Sequence, residues 1–279
     1  MPRPHPALSL GRPQVFAHRG GAALRPENTI PAFDHGLSLG ADGLELDVHL
    51  SRDGVVVVHH DATLDRTTNG CGALAALTAG ELARLDAGYH FAPPSPSEPG
   101  PATARPPAMH PFRGLAGGVP ALAEVLRRYP SASLIIELKV NDPVLAHKTI
   151  DAVRAAGAIE RVALGSFGTR VLRAARAYEP RILTGASQEE TRLALYRSWA
   201  RWPVRHPPND AFQVPEQSGS TRVVSPRFLR YARDVGVATQ VWTVDDAADM
   251  RRLLDWGVDG LISDRPDIAV EVVKARHAT

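Results

Sequence analysis

The feature that most constrains this chain is a rhythm: short apolar runs recur along it, separated by stretches with the 3.6-residue periodicity of helices. Runs at residues 15–17, 43–48, 55–58, 134–138, 162–165, 182–185, 212–214, 237–242 and 260–263 read as strands, and residues 29–39 read as the first helix. Such alternation predicts a parallel α/β fold. Nine candidates exceed by one the eight parallel strands of a closed (β/α)8 TIM-type barrel. The run at 55–58 is the extra member, because Asp53-Gly54 between two strand-like runs marks a hairpin. With Asp53 and Gly54 as a two-residue turn, Arg52 faces Val55, and counting back along the ladder puts His60 opposite Asp47.

A length of 279 residues suits one such barrel. The expected layout is an N-terminal extension over residues 1–13 and a barrel domain over 14–276. Residues 92–118 carry eight prolines and form a Pro-rich loop insertion before the strand of Glu137. A second Pro-rich stretch, 203–220, holds one short strand. Thirty-two Lys and Arg against 30 Asp and Glu give a formal charge of +2, too balanced for the basic stripe of a nucleic-acid binder. The single cysteine, Cys71, has no partner for an intrachain disulfide. The start lacks the apolar region of a signal peptide, and no run reaches the roughly 18 apolar residues of a membrane span. The expectation is a cytoplasmic protein without stable membrane anchoring; its oligomeric state is left open.

Polar residues interrupt the apolar runs where a barrel places catalytic groups, at the C-terminal ends of the strands. His18 and Arg19 follow the first run. Glu45 and Asp47 stand two apart, so both project from one face while Leu44, Leu46 and Val48 take the other. Adjacent like charges in an apolar strand suggest a bound divalent cation, with an exposed edge strand or a structural ion pair as the alternatives. Glu137 breaks the fourth run, with Lys139 behind it on the same face. Three carboxylates favour a hard cation, magnesium or calcium, over zinc. His49 is a fourth candidate ligand. Four valines then end in His59-His60-Asp61, and the hairpin register carries His60 beside Asp47. His18 and His60 together can remove one proton and donate another near neutral pH. His59 points away and reads as structural. Arg19 and Lys139 serve either an anionic substrate or neutralisation of the carboxylates.

These motifs occur in an order that resembles the glycerophosphodiester phosphodiesterases, within the phospholipase-C-like phosphodiesterases. His18-Arg19-Gly20-Gly21 with Pro26-Glu27-Asn28-Thr29 is similar to the family's opening signature, and 40–48 to its acidic strand. The likeness continues through 53–61, 64–68, Glu137-Leu138-Lys139, Ser166-Phe167, Val241-Trp242-Thr243-Val244 and 257–266. Only the two Pro-rich loops depart visibly.

The resemblance implies metal-dependent hydrolysis of a small glycerophosphodiester to sn-glycerol 3-phosphate and an alcohol. It makes His18 and His60 the general acid and base, and Glu45, Asp47 and Glu137 the ligands of one divalent cation, Mg2+ or Ca2+, with Mn2+ a further option. It also has Arg19 and Lys139 contact the phosphate, Glu27 and Asn28 organise the first loop, and Phe167 and Trp242 wall the pocket. Plain core packing is the alternative for the two aromatics. Three other readings stay open: a phospholipase acting on intact lipids, a catalytically silent phosphate-binding protein, and a transition-metal site built from His18, His49, His59 and His60.

Overall fold

The structure is a computed structural model and describes Leu8 and residues 11–93, 110–200 and 207–277. Most of the predicted N-terminal extension, residues 94–109 of the Pro-rich insertion and 203–206 of the second Pro-rich stretch lie outside the described residues.

Each predicted run forms a strand: β1 (Gln14–His18), β2 (Gly43–Leu50), β3 (Val56–Val58), β4 (Ser133–Leu138), β5 (Val162–Gly165), β6 (Leu183–Thr184), β7 (Ala211–Pro215), then the short pair β8 (Gln217–Ser218) and β9 (Thr221–Arg222), followed by β10 (Ala238–Trp242) and β11 (Gly260–Ser263). Eight of them run parallel in the order β6-β5-β4-β2-β1-β11-β10-β7. A parallel bridge between Gly185 and Ala211 joins the two ends of that order, so the sheet closes into a (β/α)8 barrel. The helices are α1 (Ile30–Ser38), α2 (Ala79–Leu82), α3 (Leu122–Arg128), α4 (Pro143–Ala155), α5 (Thr169–Tyr178), α6 (Gln188–Ala200), α7 (Pro226–Asp234), α8 (Ala247–Trp256) and α9 (Pro266–His277). Their ends follow local chemistry. Thr29, Ser225 and Asp246 accept backbone N–H groups as N-caps, and Gly257, at φ +92°, ends α8 in the left-handed conformation.

Strand alternation sorts the two faces. Leu44, Leu46 and Val48 pack outward with Leu134, Ile136 and Leu138 beneath the helices, while Phe16, Ile135 and Ile262 fill the interior with Trp242 above them. Leu8 packs against Ala163, Ala211 and Ala238 at the strand starts and so covers the bottom of the barrel. Gly43 is required by the interior: a Cβ there would meet the Ser133 carbonyl at 2.4 Å and the Phe16 ring at 2.7 Å. Gly43→Ala is therefore expected to destabilise by about 1–3 kcal/mol through overpacking, and thermal melting should read a midpoint lower by several degrees.

The hairpin corrects one expectation. The turn holds three residues, not two: Ser51 N–H donates to the Val55 carbonyl at 3.0 Å, and Val48 opposes Val58. Gly54 at φ +73° supplies the left-handed third position of such a loop, and Ser51 Oγ accepts from Val55 N–H at 3.0 Å. The register moves by one residue, so His59 rather than His60 lies opposite Asp47, donating its N–H to the Asp47 carbonyl at 2.9 Å. Pairing stops at Val58, and the chain turns so that His60 enters the barrel mouth anyway.

Candidate active site

The C-terminal ends of β1, β2 and β4 deliver His18, Glu45, Asp47, Glu137 and Lys139 to one side of the barrel mouth. Among the described residues, Arg19 and Asn28, at φ +50° and +58°, are the two non-glycine residues in the left-handed region. The loop over-determines both. Asn28 N–H donates to the Arg19 carbonyl at 2.9 Å, and its side chain spans Asp47, donating to Oδ2 at 2.9 Å and accepting from the Asp47 N–H at 3.3 Å. Arg19 NH1 donates to Glu27 at 3.0 Å, and its Nε stands 3.2 Å from Asp47 Oδ2. Glu27 and Asn28 thus fix the orientation of Arg19 and Asp47.

Glu45, Asp47 and Glu137 offer oxygens that all lie within 4.8 Å of one another. Ligand oxygens shared by one calcium or magnesium ion are separated by at most about 5 Å. The buried Asp47 Oδ1 makes no hydrogen bond; Lys139 Nζ is 3.4 Å away, outside hydrogen-bonding geometry, and donates instead to Glu137 Oε1 at 3.0 Å. Burial, then the neighbouring Asp47, push the Glu45 carboxyl up to about 8. Glu137 is also raised, by burial first, against the pull of Lys139. An orphaned carboxylate oxygen beside two carboxyl groups held above their ordinary range is the electrostatic pattern of a cation site.

Among the described residues, no other group of three or more His, Cys, Asp or Glu offers such spacing. The histidine-rich metal reading therefore has no cluster to support it. His49 Nε2 meets the His60 carbonyl and His59 Nε2 the Thr63 carbonyl, each at 3.0 Å, which gives both a structural hydrogen bond.

The two remaining histidines share a design. His18 Nδ1–H donates to Asp264 Oδ1 at 2.6 Å, and His60 Nδ1–H donates to Asp61 Oδ1 at 2.5 Å. An ionised carboxylate only accepts, so each pair places the ring proton on Nδ1 and leaves Nε2 for the cavity. His18 Nε2 lies 3.8 Å from Glu45. Burial acts against the His18 imidazolium, but the Asp264 hydrogen bond and the charge of Glu45 outweigh it, so its pKa stands above the ordinary value.

Arg66 ties the second pair to the first loop, donating to Asp61 at 2.6 Å and to both Glu27 oxygens at 2.7 and 2.8 Å. Burial would raise Glu27, yet Arg66 and Arg19 bring it down to about 2. Sequence reasoning assigned no role to Asp264, Asp61 or Arg66. Asp264 lies 246 positions from its histidine, and its only local signal is its place at the end of a strand.

His18, Arg19, Glu45, His60, Glu137 and Lys139 line a cavity of about 500 Å3, with Asp47, Asp61 and Asp264 behind them. Phe167 and Trp242 meet edge to face, centroids 5.9 Å apart, and form part of its wall.

Comparison with known proteins agrees with this architecture. Residues 18–268 match the glycerophosphoryl diester phosphodiesterase family. A glycerophosphodiester phosphodiesterase of Caldanaerobacter subterraneus subsp. tengcongensis is 31% identical over 265 residues, covering 93% of this chain and 97% of that protein. The crystal structure of an Agrobacterium tumefaciens glycerophosphodiester phosphodiesterase shares 28% identity and superposes with a TM-score of 0.72 over 93% of this chain and 99% of its own. An Oleispira antarctica phosphodiesterase, solved with the product sn-glycerol-3-phosphate, shares the fold at 24% identity, with a TM-score of 0.71 over 94% of this chain and 97% of its own.

Proposed function

Given that the chain belongs to the glycerophosphoryl diester phosphodiesterase family and is thus a phosphoric diester hydrolase, we propose that it cleaves glycerophosphodiesters to sn-glycerol 3-phosphate and an alcohol, with a divalent cation and two histidines as general acid and base. The observation that carries this reading is the convergence of two Asp-oriented imidazoles with a cluster of three carboxylates, two of which, Glu45 and Glu137, line the same cavity as the histidines.

Three carboxylates against Arg19 and Lys139 leave a formal charge of −1 at the mouth. Glu45, Asp47 and Glu137 would hold a dication, whose charge would turn that to +1, matching a phosphodiester monoanion, and which would supply Lewis-acid stabilisation of the phosphate. Arg19, locked by Glu27 and Asp47, presents its remaining guanidinium N–H groups to the phosphate without losing side-chain freedom on binding. Lys139 Nζ, 3.0 Å from Glu137 and at the same cavity, would add a second positive charge for the phosphate. One imidazole Nε2 accepts the nucleophile's proton, and the other protonates the departing alkoxide. Phe167 and Trp242 wall the pocket around the organic part of the substrate. The Oleispira structure with sn-glycerol-3-phosphate is consistent with this product.

The test is release of sn-glycerol 3-phosphate from soluble glycerophosphodiesters with magnesium, calcium or manganese supplied, taking Glu45→Gln as the blank. No release with any of the three would overturn the reading.

Asp264 gives a further prediction as a positioning residue. Asp264→Asn is expected to lower kcat by about 10- to 100-fold with little change in KM, the usual cost of losing an orienting partner. Because Asp264 raises the His18 pKa, the limb of the pH–rate profile that belongs to His18 should move to lower pH in the variant. A limb that stays in place would show that Asp264 does not act through His18.

A further inference from the structure

The cavity extends well past the catalytic groups. Its lining also includes Thr191, Arg192, Leu195, Tyr196 and Trp199 on one face of α6, together with Val223, which follows the β8–β9 ribbon. From Gln188 to Trp199 this face runs about 16 Å at 1.5 Å per residue. Tyr196 and Trp199 are 56% and 46% exposed on it, and Phe167, 52% exposed, lines the same cavity nearer the catalytic groups, so three aromatic side chains stand open to water around a reaction site.

Its charge is equally informative. Among the described residues, the only carboxylates lining the cavity are Glu45 and Glu137, both at the catalytic end. The distal part carries one charged side chain, Arg192, which has no ion pair among the described residues. An aromatic cage for a quaternary ammonium needs open ring faces converging on one point. Here Tyr196 meets Trp199 edge to face at 5.5 Å, as Phe167 meets Trp242, so each pair already covers a face with an edge. A guanidinium nearby adds repulsion.

Resting on the phosphodiesterase reading, we propose that the α6 wall is a leaving-group subsite for an uncharged alcohol with an extended apolar chain, making glycerophosphodiesters of long-chain alcohols better substrates than those of choline or ethanolamine. The chain lies along Phe167, Leu195, Tyr196 and Trp199, where binding removes apolar area from water. The reaction is otherwise the same: a water oxygen bonds to phosphorus, the P–O bond to the alkanol breaks, and the alkoxide leaves with a proton.

The experiment compares kcat/KM on four soluble diesters, the glycerophospho derivatives of ethanol, n-octanol, choline and 3,3-dimethylbutanol, each below its micellar concentration. The last is an uncharged carbon copy of choline. The octyl diester should exceed the ethyl by about tenfold or more, as expected when several methylenes leave water, and the dimethylbutyl diester should exceed choline several-fold. Tyr196→Ser with Trp199→Ser should collapse the octyl-to-ethyl ratio toward one. Leu193→Ser, on the same helix but outside this cavity, should leave that ratio standing and so controls for general surface stickiness. Arg192→Glu should reverse the choline discrimination. Cleavage of all four diesters at similar rates overturns the subsite while the phosphodiesterase reading survives; cleavage of none overturns both.

Discussion

His18→Ala and His60→Ala are each expected to lower kcat on an alkyl diester by about 10^2- to 10^4-fold, the range lost when a general acid or base is removed. The two variants should then part company on an activated diester whose leaving group is a nitrophenolate. That leaving group departs without a proton, so whichever histidine is the acid becomes dispensable, and its variant recovers most of the rate. The variant lacking the base stays slow on both substrates. Steady-state kinetics on one alkyl and one aryl diester therefore assigns the roles that the matching Nδ1–Asp pairs leave symmetric. If both variants respond alike to the aryl diester, the division into acid and base is wrong, and the imidazoles serve only to hold the phosphate.

What the sequence made legible follows from period and position. Glu45 and Asp47 share a face because strand side chains alternate, a rule that holds whatever surrounds the strand. The extra run at 55–58 was separable from the eight because Asp53-Gly54 announces a hairpin. The register was not legible, since whether that loop holds two residues or three depends on Ser51 capping Val55 and on which residue adopts positive φ. His60 reaches the cavity because pairing ends at Val58, not because it faces Asp47, so the expected position at the mouth is reached by a different geometric route. Asp264 was hidden for a different cause. The parallel pairing of β11 with β1 is what brings the chain's last strand beside His18. Contacts made by topology across the whole chain leave no local periodic trace, and Tyr196 and Trp199, three apart on α6, likewise carry no local sign that they line the cavity.

The carboxylate cluster should set function against stability. Glu45→Gln keeps an acceptor for the Arg19 N–H, which donates to Glu45 at 3.2 Å, but removes a charge that burial and Asp47 both disfavour. Turnover should fall about 10^3-fold or more, the scale lost when charge stabilisation of the transition state is withdrawn. Chelation of the wild type should do the same, reversibly. The cation-free protein should behave oppositely in stability. Glu45 is held at about 8 in the folded state, against an ordinary value of 4.5, so between those values the folded form binds more protons than the unfolded one. Unfolding free energy then falls as pH rises through that window. Without cation, the wild type should melt progressively lower from pH 5 to pH 8, and Glu45→Gln should melt above it at pH 8. Adding magnesium or calcium should raise the wild-type midpoint by mass action and leave the variant nearly unmoved. Calorimetry across pH, with and without cation, reads all of this independently of catalysis. A wild-type midpoint indifferent to every divalent cation, together with turnover that survives chelation, would remove the metal from the mechanism and leave Arg19 and Lys139 as the only counter-charges to the phosphate.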